Sequence, residues 1–149
     1  MKKDMIKGFT MLIVTVAFAT AVVSANGQSS VHVRANIPFE FTIGDKTLPA
    51  GTYGVRSASN AGDVLMIQNT ESSIASFRLT NPIEPKRSKP ARLVFHRYGE
   101  TYFLAEVWTG GESVGRKLLT SSKERAMKRE LSNLAQNNYE IVEIVATLQ

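Results

Sequence analysis

Arg92-Leu93-Val94-Phe95-His96-Arg97-Tyr98, then Gly99-Glu100, then Thr101-Tyr102-Phe103-Leu104-Ala105-Glu106-Val107-Trp108, is the stretch that decides how this chain folds. Two runs rich in aromatic and β-branched residues flank a two-residue connection that begins with glycine. That connection suits a type II′ turn, and so a β-hairpin. A two-residue turn also fixes register: Phe95 faces Leu104, Arg97 faces Tyr102, and His96 faces Phe103 on the other side. Apolar side chains fall on both faces, which predicts a hairpin central to the fold.

Upstream, Val31, Val33 and Ala35 alternate with His32 and Arg34, and Phe39, Phe41 and Ile43 alternate with Glu40 and Thr42. Period-two alternation predicts half-buried strands, and Pro38, which has no N–H for a ladder, separates the two runs. Residues 44–51 (Gly-Asp-Lys-Thr-Leu-Pro-Ala-Gly) predict a turn, followed by a strand with Tyr53 and Val55 on one face. Further strands are expected over 64–68 and 74–80, with turns at 61–63 and 69–71. Residues 81–91 contain three prolines with Lys86, Arg87 and Lys89, which predicts a stiff exposed loop.

Downstream, Gly110, Gly111 and Gly115 predict a flexible connection. Ser121-Ser122-Lys123-Glu124 fits a capping box that opens a helix near 121–136. Met127, Leu131 and Leu134 recur as one narrow apolar stripe for docking on a sheet, and Glu124 and Lys128 stand four apart in the favourable order. Asn137-Asn138 ends the helix, and residues 139–148 read as a last strand with Val142, Ile144, Ala146 and Leu148 inward. The expected fold is therefore mainly β. It is a single-domain antiparallel β-sandwich or partly closed barrel of about seven to nine short strands, with one amphipathic helix before the last strand.

The first 25 residues predict an address. Lys2, Lys3 and Lys7 precede an apolar stretch from Phe9 to Val23, and Val23-Ser24-Ala25 places small residues before a cut. This is the order of a secretory signal peptide cleaved near Ala25, giving a periplasmic or extracellular bacterial product. The apolar stretch is short and contains threonines, which argues against an uncleaved membrane anchor. No other segment is long and apolar enough to span a bilayer. Cleavage leaves 124 residues: a flexible 26–30 and a domain over 31–149. The leader holds +2 of the formal +5, so the mature domain is about +3, too small an excess to argue for nucleic acid. The chain has no cysteine, which excludes disulfides, thiolate nucleophiles, thiolate zinc sites and a lipidated N-terminal cysteine.

Catalytic signals are sparse. His32 and His96 are the only histidines, too few for a histidine-based metal site without carboxylates. There is no Gly-x-Ser-x-Gly elbow and no calcium loop. Glu100 and Glu106 share a strand face but stand about 20 Å apart by strand rise, beyond a glycosidase pair. No catalytic residue, metal or cofactor is assigned. Two binding candidates remain. Arg97, Tyr98, Tyr102 and Trp108 suggest an aromatic and guanidinium platform for a sugar ring or peptide. Lys86, Arg87 and Lys89 with Arg92 suggest contact with an anionic surface, either lipid headgroups or an acidic polysaccharide.

Residues 35–41 (Ala-Asn-Ile-Pro-Phe-Glu-Phe), 44–53 (Gly-Asp-Lys-Thr-Leu-Pro-Ala-Gly-Thr-Tyr), 93–99 and 102–108 together resemble an uncharacterised family of small exported proteins common in Acidobacteria. The resemblance covers most of the mature chain, to about Ala126. It implies export, and no activity, substrate or site residue. The leading expectation is an exported, non-catalytic binding or envelope-associated module whose partner is a glycan, a peptide or an envelope protein. The alternatives are a small secreted hydrolase using His96 with a carboxylate, and a structural subunit of a surface assembly.

Overall fold

The computed structural model describes residues 32–111, 113–134 and 139–149. The leader and residues 26–30 lie outside them, as do Val31 and Asn137-Asn138. In chain order the elements are β1 (His32–Ile37), β2 (Phe41–Ile43), β3 (Lys46–Leu48), β4 (Gly51–Ser57), β5 (Val64–Asn69), β6 (Ala75–Ile83), β7 (Arg92–Tyr98) and β8 (Thr101–Trp108). These are followed by β9 (Gly115–Leu118), α1 (Ser122–Asn133), β10 (Glu140–Val145) and β11 (Thr147–Leu148). The fold is mainly β, with one helix among the described residues, and its mixed sheet is not closed into a barrel.

The β7–β8 hairpin forms in the expected register, with Phe95 opposite Leu104, His96 opposite Phe103 and Arg97 opposite Tyr102. Gly99 takes φ 60° at the turn, a conformation open to glycine at no steric cost. A bulge between Val94 and Phe95 then shifts the pairing, setting Leu93 opposite Val107 and Arg92 opposite Trp108. The hairpin is central, since β7 also pairs with β10 and β8 with β9.

From this hairpin the strand order is β10-β7-β8-β9-β6-β5-β4-β1-β11. Strand β6 joins the two halves of the sheet: residues 75–79 pair with β5, and Thr80–Ile83 pair with β9. The strand thus runs through Pro82, where a loop was expected. By then β6 has left β5 and carries a ladder on one side only, so a missing N–H disrupts nothing. The loop proper begins at Glu84. At the far end, Ala146 donates to the Ala91 carbonyl, and β11 adds to β1.

Three further expectations are corrected. Residues 46–48 are not part of a turn but form β3, which folds back on β2 across Gly44-Asp45. Strand β2 is buried at all three residues, and it also runs parallel to β8 through Thr42 and Phe103; this pair makes the sheet mixed. Gly115 is not a flexible joint but the first residue of β9.

The inner faces of the two halves meet in one core. Val33, Ala35 and Ile37 of β1 point inward while His32, Arg34 and Asn36 point out. Tyr53, Phe41, Phe95 and Phe103 are essentially fully buried, each contributing about 2–3 kcal/mol by leaving water. Val142, Ile144 and Ala146 pack on this core as expected. Leu148 instead stands 66% exposed, because β11 sits at the sheet edge.

Helix α1 starts as expected, with the Ser121 hydroxyl accepting from the Glu124 amide at 3.1 Å. Its apolar stripe docks only in part: Met127 and Leu131 are half-buried and Leu134 is 65% exposed. The helix is held chiefly at its first turn, where the Lys123 amide and side chain reach Asp45 and Thr47 and Glu124 points inward.

Candidate functional site

Glu124 does not close the capping box. Its carboxylate is 6% exposed, with Oε1 2.9 Å from His96 Nδ1 and accepting from the Tyr98 hydroxyl at 3.2 Å. A tyrosine ring, Tyr139, lies 4.2 Å from the His96 ring. Burial, then the charge of Glu124 and the hydrogen bond donated to it, push the Tyr98 hydroxyl well above its ordinary value. This places His96 against a carboxylate, the pair that a hydrolase would use. Among the described residues no serine or threonine hydroxyl bonds His96, and Glu124 Oε1 is shared with Tyr98. The cluster reads as a polar pin between helix and sheet. The same residues include no group of three or more metal-ligating side chains.

The four residues of the expected platform do not share one surface. Arg97 and Tyr102 lie opposite each other, with the guanidinium 5.5 Å from the ring centroid. Phe39 stacks on the other side of Tyr102 at 3.9 Å. Arg97 also pairs with Glu140 at 3.2 Å. Tyr98 points to the opposite face of the hairpin and is buried against Glu124. Trp108 lies beyond the bulge, at the far end of the hairpin.

At that end the structure builds a groove. Its floor is Trp108, whose ring is packed between two neighbours. The Arg92 guanidinium sits 4.8 Å from the ring centroid, and Gly115 lies so close that a Cβ there would come within 2.6 Å of the ring. The indole N–H donates to Glu106 at 2.9 Å. Trp108 is thus 8% exposed, an anchored floor and not an open stacking platform. The facing wall is the proline-stiffened loop 84–90, tied down where the Gly111 amide donates to the Lys89 carbonyl. The groove encloses about 650 Å³, a size that suits a small ligand or part of a polymer.

The basic loop and Arg92 therefore do come together with Trp108. Lys89 and Arg92 both bind Glu143, at 3.4 and 3.2 Å. Lys86, Arg87 and Lys117 also line the groove and form no ion pair within the described residues. Lys117 is contributed by β9, opposite Glu106. Sequence reading missed Lys117, Gly115 and the role of Glu124. The Ser-x-x-Glu spacing of a capping box pointed Glu124 elsewhere, and β9 was hidden among glycines.

Compared with known proteins, the chain matches no family model, and no curated protein or solved structure is significantly similar to it. Its chemistry is read from these side chains. No helix among the described residues is long and apolar enough to cross a membrane.

Proposed function

We propose that this chain is an exported, non-catalytic binding module that holds an acidic glycan in the groove beside Trp108. The observation that carries the reading is the meeting of Lys86, Arg87 and Lys117, none of them ion-paired among the described residues, with Lys89 and Arg92 around a groove with an aromatic floor, where five basic side chains face the two acids Glu84 and Glu106. A walled groove suits a chain of sugar acids better than a flat lipid surface. Ammonium and guanidinium groups bind carboxylate through charge-assisted hydrogen bonds. Export rests on the leader-like order of residues 1–25 and on the resemblance to small exported proteins.

The test is calorimetric titration of the mature chain with polygalacturonate at low ionic strength, with a neutral glucan as control. Binding is expected to the acidic polymer alone and to weaken as salt is raised. It is expected to fall at least tenfold in the triple variant Lys86→Gln, Arg87→Gln, Lys117→Gln. An absence of binding, or equal binding by the triple variant, would refute the proposal. N-terminal sequencing of the exported protein checks the cut near Ala25.

A further inference from the structure

The other half of the sheet carries a second cleft on its outer face, formed by β1, β4 and β5 and enclosing about 390 Å³. Its centre is a missing side chain. Arg34 lies opposite Gly54, and Gly54 opposite Gln68, so the row across the three strands has a gap in its middle. A Cβ built on Gly54 meets nothing within 4 Å. In the adjacent row His32 lies opposite Arg56, and Arg56 opposite Met66.

Arg34 and Arg56 therefore flank one open position from neighbouring strands. Neither forms an ion pair among the described residues. Arg56 reaches only the Met66 sulfur, at 3.6 Å. No acidic side chain lines the cleft; Gln68, Thr70 and Ser72 add neutral polar groups at its side, and Gln149, the last residue, stands at its rim with its amide donating to the His32 carbonyl at 3.1 Å. A guanidinium offers a planar fork of donors that matches the oxygens of a phosphate group, and two forks with the His32 imidazole nearby favour a dianion.

We infer that this cleft is a binding site for the phosphate group of a small phosphorylated polyol, with Arg34 and Arg56 holding the phosphate and the Gln68 side holding hydroxyl groups. It stands apart from the groove at Trp108 in both residues and ligand. The missing Gly54 side chain is what makes room for the ligand.

The experiment is an NMR titration of the 15N-labelled mature chain with glucose 6-phosphate, inorganic phosphate and glucose. Shifts are expected at the amides of residues 34, 54, 56 and 68 with both phosphates and not with glucose. Arg34→Gln and Arg56→Gln are each expected to weaken glucose 6-phosphate by about tenfold, the worth of one charge-assisted hydrogen bond. Gly54→Val fills the gap with a residue suited to a strand, so it is expected to raise Tm or leave it unchanged while abolishing binding. That separates a filled site from a damaged fold. The triple variant of the Trp108 groove is expected to bind glucose 6-phosphate normally. The proposal is overturned if the wild-type chain shows no shifts, if Gly54→Val still binds, or if the triple variant loses binding in place of the arginine variants.

Discussion

Replacing Glu124 by alanine should unfasten the helix from the sheet. The carboxylate is buried, and one oxygen serves both His96 and Tyr98. Removing it deletes two hydrogen bonds to an ionised acceptor, each worth about 1.5–3 kcal/mol, and leaves two polar groups with no partner. Removing one member of a buried pair costs about 3–5 kcal/mol, so we expect a loss of about 4 kcal/mol. With a urea slope of about 2 kcal/mol/M, the unfolding midpoint falls by about 2 M. Glu124→Gln keeps the shape and an acceptor oxygen and should lose only about 1–2 kcal/mol. Arg125→Ala, on the exposed side of the same turn, is the control and should stay within about 0.5 kcal/mol of wild type. Because His96 and Glu124 touch, His96→Ala and Glu124→Ala together should cost about 1–3 kcal/mol less than their sum. Equal midpoints for Glu124→Ala and Arg125→Ala, or strict additivity of the pair, would refute the pin.

Two other perturbations probe the same structure. Gly115→Ala drives a methyl group into the Trp108 ring and should cost about 1–3 kcal/mol by overpacking. Trp108 is the only tryptophan of the chain, so its fluorescence should shift red as the floor loosens, and an unchanged spectrum would contradict the packing. Tyr98 has a hydroxyl whose folded-state value is raised above the ordinary 10. Its contribution is therefore complete below pH 10 and is lost as pH rises above it. Tyr98→Phe should be less stable than wild type near pH 8 and should show a shallower decline above pH 10, followed by urea unfolding across pH 8–12.

What the sequence disclosed depended on how local the cause was. The hairpin register was legible because Gly99-Glu100 leaves a single pairing and the flanking runs carry apolar residues on both faces. The Ser121 cap was legible for the same reason. Strand β3 was not, because Gly44, Pro49 and Gly51 crowd three strand residues with turn signals, and pairing with β2 overrides them. Strand β6 outran Pro82 because only the topology shows that the strand is by then paired on one side. The candidate groove was half legible: the basic loop and Trp108 were both marked, while Lys117 arrives from a strand that composition concealed. Glu124 was marked as a cap, since nothing local reveals that a carboxylate 28 residues away in sequence will face His96. The cleft at Gly54 left no motif at all, because it is made by the absence of a side chain between two rows of an ordinary strand pattern.

Net charge is likewise silent on where the bases and acids stand. The formal charge of the whole sequence is +5, and what an anion meets depends on which acids stand beside which bases. Several acids are engaged, since Glu143 holds Lys89 and Arg92, Glu140 and Glu100 hold Arg97, and Glu124 is turned inside against His96, while Glu84 and Glu106 line the Trp108 groove themselves. Asp63 is fixed by the Ser59 hydroxyl at 2.5 Å, which holds its carboxyl below the usual range, and Glu106 is held by the Trp108 indole. Lys86, Arg87 and Lys117 line one cleft and Arg34 and Arg56 the other, and none of these five forms an ion pair among the described residues. Local field, not total charge, governs the encounter with an anion. The two proposed anion sites share no residue, so salt should weaken binding at both while substitutions in one leave the other intact.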